Sequence, residues 1–303
     1  MSAEAEGERA PPGLLPLLRE LGDLKRVRSA SYTGSFAERC FAQSWAWLAA
    51  GVPARDVARA ATSRALAAAR LGDLDAATLG AAGITPDAVR AIRHRAVTES
   101  ADPLDPALRS WLLEAAEELP SAPAPGFVGR LALQPRAGVT CPGRGRLVLE
   151  PPENHAEHST AVAVAGVLLA PAWSADPVTV FVAGLAHHLH NALLPDSGFA
   201  GEMLLGEWLA PAMARAREIA LDELGSELRE TVESACRILP DAATAEGRAF
   251  QAADTIDRVL QVEHHLRAAR TTMGFVQRQM GLVHDGPTKP FQDAVLARMD
   301  LAS

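Results

Sequence analysis

Histidine is concentrated in one short stretch of the sequence. Five of the nine histidines lie between residues 155 and 190; they are His155, His158, His187, His188 and His190. Spacing of three residues places His155 and His158 on one face of a helix, whereas the side chains of His187 and His188 diverge by about 100° around a helix axis. Imidazole is a common ligand of transition metals, so this concentration predicts a metal site.

An acidic residue in a later apolar stripe could complete such a site. Asp254 lies in the segment AADTID, and its neighbours on the helix face are apolar. A buried carboxylate without a partner is costly, so Asp254 should face a cation or a hydrogen-bond donor. Imidazoles and a carboxylate from three helices could hold one divalent ion and leave positions open for water, as metal-assisted hydrolysis requires. For each histidine taken singly, helix capping, a bond to a carbonyl or exposure to solvent is the simpler explanation.

The elements that must position these residues are predicted to be mainly α-helical. Apolar residues return every three or four positions from residue 14 to about residue 118, and again after residue 153. Between these regions, PSAPAPG is typical of a linker, and RLALQ and RLVLE alternate around CPGRGR as the strands of a β-hairpin do. We therefore predict a disordered tail over 1–12, an N-terminal helical bundle over 13–119, a linker with a short β-hairpin over 120–152, and an all-α domain over 153–303.

Composition excludes several function classes. The chain has 303 residues and a formal net charge of −8, which argues against binding a nucleic-acid polymer or an anionic membrane. The longest apolar run, residues 161–173, is shorter than the ~20 residues that a membrane span needs. The three cysteines lie far apart and form no CxxC pair, so we expect no disulfide framework and a cytoplasmic location.

Three segments after residue 153 resemble, in order and spacing, the motifs of the HD-domain superfamily of metal-dependent phosphohydrolases, and most of all its 5'-deoxynucleotidase-like branch. The segment with the family's first metal-binding His resembles ENHAEHSTAVAVAGVLLA. The family's His-Asp segment resembles VFVAGLAHHLHNALLPD, and its last motif resembles AADTIDRV. The resemblance covers about residues 153–266. It implies an HD-like domain, one divalent metal and hydrolysis of a small phosphomonoester, a nucleotide being one candidate. The metal ligands that it implies are His158, His187, His188 and Asp254.

Two residues depart from the family pattern. His188 stands where the family has its metal-binding Asp, and Asn191 where this branch has an acid, whereas the acid further on is kept as Asp196. Three imidazoles and one carboxylate leave a divalent ion with one net positive charge. The positive charge would attract a phosphate group. Three imidazole ligands make the site prefer Zn, Fe, Co or Ni over Mg, and Mn is a further candidate. We expect Asp196 to orient or deprotonate the attacking water, and Asn191, which cannot transfer a proton, to bind substrate.

Smaller signals complete the candidate site. His190 follows His187 by three residues and could support a ligand or act as an acid toward the leaving group. Arg144 and Arg146, in CPGRGR, could grip the phosphate of a small metabolite from a mobile loop. The N-terminal half carries no motif with a mechanism, and we interpret it as a packing partner, a wall of the cleft or a surface for homo-oligomerisation.

Two other functions stay open. A catalytically degenerate HD-like module, which binds a protein or ligand and holds no metal, would account for the replacement of both acids. An HD-fold iron oxygenase would need further histidines between the His-Asp segment and the final Asp. The sequence has none from Asn191 to Ala253, so a second iron would have to use His155, His190 or more distant histidines.

Overall fold

The structure, a computed structural model, describes residues 11–116, 119–266 and 272–302, and its fold is mainly α-helical, which confirms the predicted class. Residues 1–10 of the predicted tail lie outside the described residues. The N-terminal helices are α1 (Leu15–Asp23), α2 (Phe36–Ala49), α3 (Ala54–Leu71), α4 (Ala76–Ala81), α5 (Pro86–Ser100) and α6 (Pro106–Leu113). The later helices are α7 (Gly126–Leu133), α8 (His155–Leu169), α9 (Pro177–Ala186), α10 (Gly198–Leu205), α11 (Leu209–Leu221), α12 (Ser226–Ala235), α13 (Ala245–Leu266) and α14 (Lys289–Arg298).

Side-chain caps set the starts of the two helices that carry the histidines. At the start of α8, the Asn154 side chain accepts from the backbone of Glu157, and the Glu157 carboxylate accepts from the backbone of Asn154. This reciprocal pair satisfies two backbone donors that a helix start otherwise leaves unpaired. At the start of α9, Asp176 accepts from the backbone of Val178 and Thr179. Each cap therefore decides where its helix begins, and hence where its histidines fall along the helix.

Close packing of α8, α9 and α13 builds the centre of the fold. Helix α8 contacts α9, α13 and α2, and it is buried along nearly its whole length. The approach of α9 to α8 depends on Gly184, where an added Cβ would lie 2.7 Å from the Cα of Ala163. Real Cβ atoms do not approach backbone so closely, so only glycine allows the two helices to meet here. Helix α9 then ends one turn later, at His187.

The predicted β-hairpin is reduced to two isolated antiparallel bridges, one between Pro135 and Asn154 and one between Val139 and Leu147. Val139 and Leu147 exchange two backbone hydrogen bonds of 2.9 Å around a turn. The prediction of a first strand in RLALQ is wrong, because residues 130–133 belong to α7 and bury Leu131 against the core. An apolar-polar alternation over four residues is too short to separate a strand from a helix, and tertiary packing favoured the helix here.

One hydrophobic core runs through both halves of the chain. It includes residues from α1 as well as from α14, and the rings of Trp45 and Phe127, both fully buried, meet edge to face at 4.9 Å. The predicted boundary at residue 120 therefore separates helices that share a core. The three cysteines are free thiols. None of the helices among the described residues combines the length and the apolar character needed to cross a bilayer.

Candidate metal centre

Three helices bring His158, His187 and His188 together and place Asp254 against His158. His158 lies in the first turn of α8 and is fully buried, His187 and His188 follow the end of α9, and Asp254 lies within α13. One ring nitrogen from each of the three histidines lies within 4.8 Å of the others. The Nε2 of His158 is 3.2 Å from the Nε2 of His187 and 3.2 Å from Oδ1 of Asp254. His158 is thus the centre of the cluster.

Hydrogen bonds on the far side of each ring determine which nitrogen faces the cluster. His158 Nδ1 lies 2.7 Å from Oδ2 of Asp257, His187 Nδ1 lies 2.7 Å from the carbonyl oxygen of Gly184, and His188 Nδ1 lies 2.9 Å from Oδ1 of Asn191. A carbonyl or a carboxylate oxygen only accepts, so Nδ1 of each ring is the donor in its hydrogen bond. Nε2 is therefore the nitrogen that remains for the cluster, as in histidines that bind metals.

Nε2 of His158 meets two acceptors at the centre of this cluster. It lies between Nε2 of His187 and the carboxylate of Asp254, at 3.2 Å from each. Burial, and then the neighbouring His158, lowers the pKa of His187 to about 3, so His187 is neutral at pH 7. Burial would raise the pKa of Asp254, but Arg258 and His158 hold it well below its ordinary value. Such an arrangement needs a cation or an added proton at its centre.

A second group of close ligand atoms lies behind His158. Glu153, His158 and Asp257 also offer ligand atoms within 4.8 Å of one another. This group already contains a cation, because Nζ of Lys25 lies 2.7 Å from Glu153 and 2.8 Å from Asp257. We therefore assign the second group to an internal ion-pair network rather than to a metal. The sequence analysis missed both Lys25 and Asp257, whose positions are 232 residues apart.

A cavity of about 380 Å³ opens next to the cluster. His187, His188 and Asp254 line it, so ligand atoms face a space large enough for a small substrate. Two arginines also line it: Arg136, and Arg258, whose Nη2 lies 3.2 Å from Asp254. Within the described residues, the buried Nη1 of Arg136 makes no hydrogen bond. A buried guanidinium nitrogen without a partner at a cavity wall is suited to an anion.

The predicted phosphate-binding arginines are not in this cavity. Arg144 and Arg146 are both exposed, and neither lines the cavity wall. Arg146 instead donates weakly to the carbonyl oxygens of Ala137 and Ser197, at 3.4 Å each. A sequence pattern identifies charge but not its direction, so it could not show that these two arginines lie outside the cavity wall.

Asn191 and Asp196, which the sequence analysis also predicted, line the cavity, and the hydrogen bonds that each one makes indicate what it does there. Asn191 is buried, with Oδ1 facing His188 and Nδ2 donating to the carbonyl of Leu194, so it orients His188. Both oxygens of Asp196 accept backbone N–H groups, from Ala137 and Gly198. Asp196 therefore ties two loops of the cavity wall together.

His190 and Glu202 also line the cavity. Burial, and then Arg217, lowers the pKa of His190 to about 4, so at pH 7 the ring is neutral and is not an imidazolium acid. This disfavours the predicted acid role. Glu202, on α10, has the opposite property, because burial and then Asp196 raise its pKa. The sequence analysis did not select Glu202, and only the position of α10 at the cavity reveals it.

His155 lies against the cluster without joining it. Its ring is fully buried and its centroid is 4.6 Å from that of His188. Neither of its nitrogens makes a hydrogen bond within the described part of the chain, and Asp196 Oδ2 lies 3.8 Å from its Nε2. Among the described residues, no group of three close ligand atoms includes His155, so the geometry gives no support for a second metal.

Comparison of the chain with protein-family models, with curated proteins and with solved structures finds no match. The chemistry of the site therefore has to follow from its own side chains.

Proposed function

We propose that the chain is an HD-like, metal-dependent phosphohydrolase that acts on a small phosphomonoester. One observation carries the proposal: Nε2 of His158 meets Nε2 of His187 and Oδ1 of Asp254 at 3.2 Å each, with the Nδ1 protons of both rings directed elsewhere. Two nitrogens bound at ~2.0–2.1 Å to one tetrahedral ion lie roughly 3.4 Å apart. The observed spacing fits a shared ion, and the lone pairs then become ligands.

The donor set favours a transition metal. His158, His187 and His188 would hold the ion with Asp254, and imidazole-rich sites suit Zn, Fe, Co or Ni better than Mg. When bound, such an ion lowers the pKa of a coordinated water and polarises a phosphate ester, which supports hydrolysis near neutral pH. Each ring would be oriented by the acceptor of its Nδ1 proton, and these acceptors belong to Asn191, Asp257 and Gly184. Loss of such an orienting hydrogen bond commonly weakens metal affinity by about 10–100-fold.

The cavity wall supports an anionic substrate. The unpartnered Nη1 of Arg136 and the guanidinium of Arg258 would contact the phosphate oxygens, since both line the cavity beside the ligands. A volume of about 380 Å³ limits the substrate to a small molecule. For proton transfer to the leaving group, Glu202 is better suited than His190, because its raised pKa lets it keep a proton closer to neutral pH.

A catalytically degenerate binding module is the second candidate, and Asn191 favours it. An acid at this position could move a proton, whereas the amide of Asn191 is committed to His188 and Leu194. The two candidates differ in their demand for metal, since a module that recognises a partner by shape retains the helices without an ion.

Metal analysis of protein purified without chelator, followed by hydrolysis of p-nitrophenyl phosphate, tests the proposal. We expect about one equivalent of a divalent transition metal, and His187→Ala should lose it and lower kcat/KM by at least about 100-fold. His94→Ala, which removes an exposed histidine of α5, is the matched control and should change neither value. A folded wild-type chain without metal or turnover would favour the binding module, and oxygen consumption with iron bound would favour an oxygenase.

A further inference from the structure

Lys25 is an unusual residue in the N-terminal half. It lies just after α1, is only 4% exposed, and is one of the two lysines in the chain. Its Nζ donates to both carboxylate oxygens of Asp257, at 2.8 Å each, and to Oε2 of Glu153, at 2.7 Å. The three donors of the ammonium group thus all have partners. A buried lysine with this geometry requires an explanation, because taking its charge out of water is costly.

The network ends at the proposed metal ligand His158. Asp257 lies on α13, and while both its oxygens accept from Lys25, Oδ2 also accepts from Nδ1 of His158 at 2.7 Å. Nδ1 of His158 is thereby the donor toward Asp257, and Nε2 is the nitrogen that faces the cluster.

We infer that Lys25 is a positioning residue of the metal centre: by holding the Asp257 carboxylate in place, it fixes the tautomer and orientation of His158. The inference rests on the proposed metal site and gives the N-terminal half a role in it. Without Lys25, Asp257 is free to rotate, and His158 loses the acceptor that selects its Nδ1 proton. The effect on metal binding should equal that of removing the acceptor itself, about 10–100-fold.

A purely structural role would predict something different. The N-terminal half also reaches α13 through Arg19, whose guanidinium makes two hydrogen bonds with Glu263, at 2.6 and 3.0 Å. Arg19 lies on α1 and touches neither Asp257 nor His158. If Lys25 only fastened α1 to α13, loss of Arg19 would have a similar effect on the site. Arg19→Met is therefore the matched control for Lys25→Met.

The test measures the His158 ring nitrogens and the affinity for Co²⁺. Two-bond ¹H–¹⁵N spectra of the metal-free full-length chain distinguish protonated from unprotonated ring nitrogens, with His158→Gln identifying the signal. Because Lys25→Met leaves the buried carboxylates of Asp257 and Glu153 without their lysine, the double variant Lys25→Met/Glu153→Gln removes one negative charge together with the positive one and is designed to keep the chain folded. In the folded variant we expect His158 to lose its single Nδ1-protonated form and the Kd for Co²⁺ to rise about 10–100-fold, whereas Arg19→Met matches wild type.

Each other outcome overturns the inference. A folded Lys25 variant with the wild-type His158 spectrum and a Kd within about twofold of wild type would show that Lys25 does not act on the site. Equal losses in Arg19→Met, or loss of folding in both Lys25 variants, would make Lys25 a residue of general stability. A wild-type chain that binds no Co²⁺ would contradict the proposed function. Because the spectra are recorded without metal, the tautomer of His158 would in that case still show whether Lys25 positions the His158 ring.

Discussion

Gly184 offers a direct test of the idea that helix packing sets the distance between His158 and His187. In Gly184→Ala the new Cβ would lie 2.7 Å from Cα, 2.9 Å from N and 3.1 Å from Cβ of Ala163. Carbon atoms in contact prefer about 3.5–4.0 Å, so α8 and α9 must separate by roughly 1 Å. Two of the three neighbouring atoms are backbone, and they cannot move aside as the end of a side chain would.

The expected cost follows from overpacking of a dense core. Inserting one methyl group into such a site typically lowers the free energy of unfolding by about 1–3 kcal/mol. The substitution also displaces the Gly184 carbonyl, which holds His187 Nδ1 at 2.7 Å, so the two Nε2 atoms should move apart. We expect at least about a tenfold weaker affinity for Co²⁺, comparable to the loss of an orienting hydrogen bond.

Urea denaturation and Co²⁺ titration measure the two effects separately. Gly129→Ala is the control, because Gly129 lies inside α7 with no atom within 4 Å of its added Cβ. That variant should gain about 0.5–1 kcal/mol from helix propensity and bind Co²⁺ as wild type does. A Gly184→Ala protein as stable as Gly129→Ala would refute the packing argument. A destabilised protein with unchanged Co²⁺ affinity would refute the link between packing and the site.

Three further predictions follow from the same geometry. Asn191→Ala removes the acceptor of His188 Nδ1, so the Kd for Co²⁺ should rise about tenfold; an unchanged Kd would show that His188 is no ligand. Arg136→Met should raise KM for p-nitrophenyl phosphate by about tenfold with kcat nearly kept, and an effect on kcat alone would contradict its binding role. In the folded, metal-free protein the pKa of His187 is about 3 and that of His190 is about 4, whereas a histidine of the unfolded chain takes up its proton near pH 6.5. Between these pH values both rings are neutral in the folded chain and protonated in the unfolded chain. Stability should be full above pH 6.5 and fall toward pH 4 by up to about 1.4 kcal/mol per pH unit for each histidine; urea midpoints that stay constant over this range would contradict the burial of neutral rings.

The sequence by itself determined the helical class and the types of residue available for chemistry. Both are local properties: apolar residues at helical spacing predict a buried face, and residue types are read directly from the chain. The concentration of histidines predicted a metal site for the same reason, because residues that are close in the sequence cannot lie far apart in the fold. The alternation in RLALQ shows the limit of such patterns, because so short a segment fits either a strand or a helix.

Only the tertiary structure decided which polar groups meet and what each one can do. Lys25 reaches Asp257 across 232 positions, and Arg136 rather than Arg144 or Arg146 faces the cavity. These contacts depend on how helices pack, and packing follows from the shape of the whole core, including the absence of a side chain at Gly184. Protonation follows the same rule: burial and neighbouring charges set the pKa of a side chain, and neither is specified by the residues next to it in the chain.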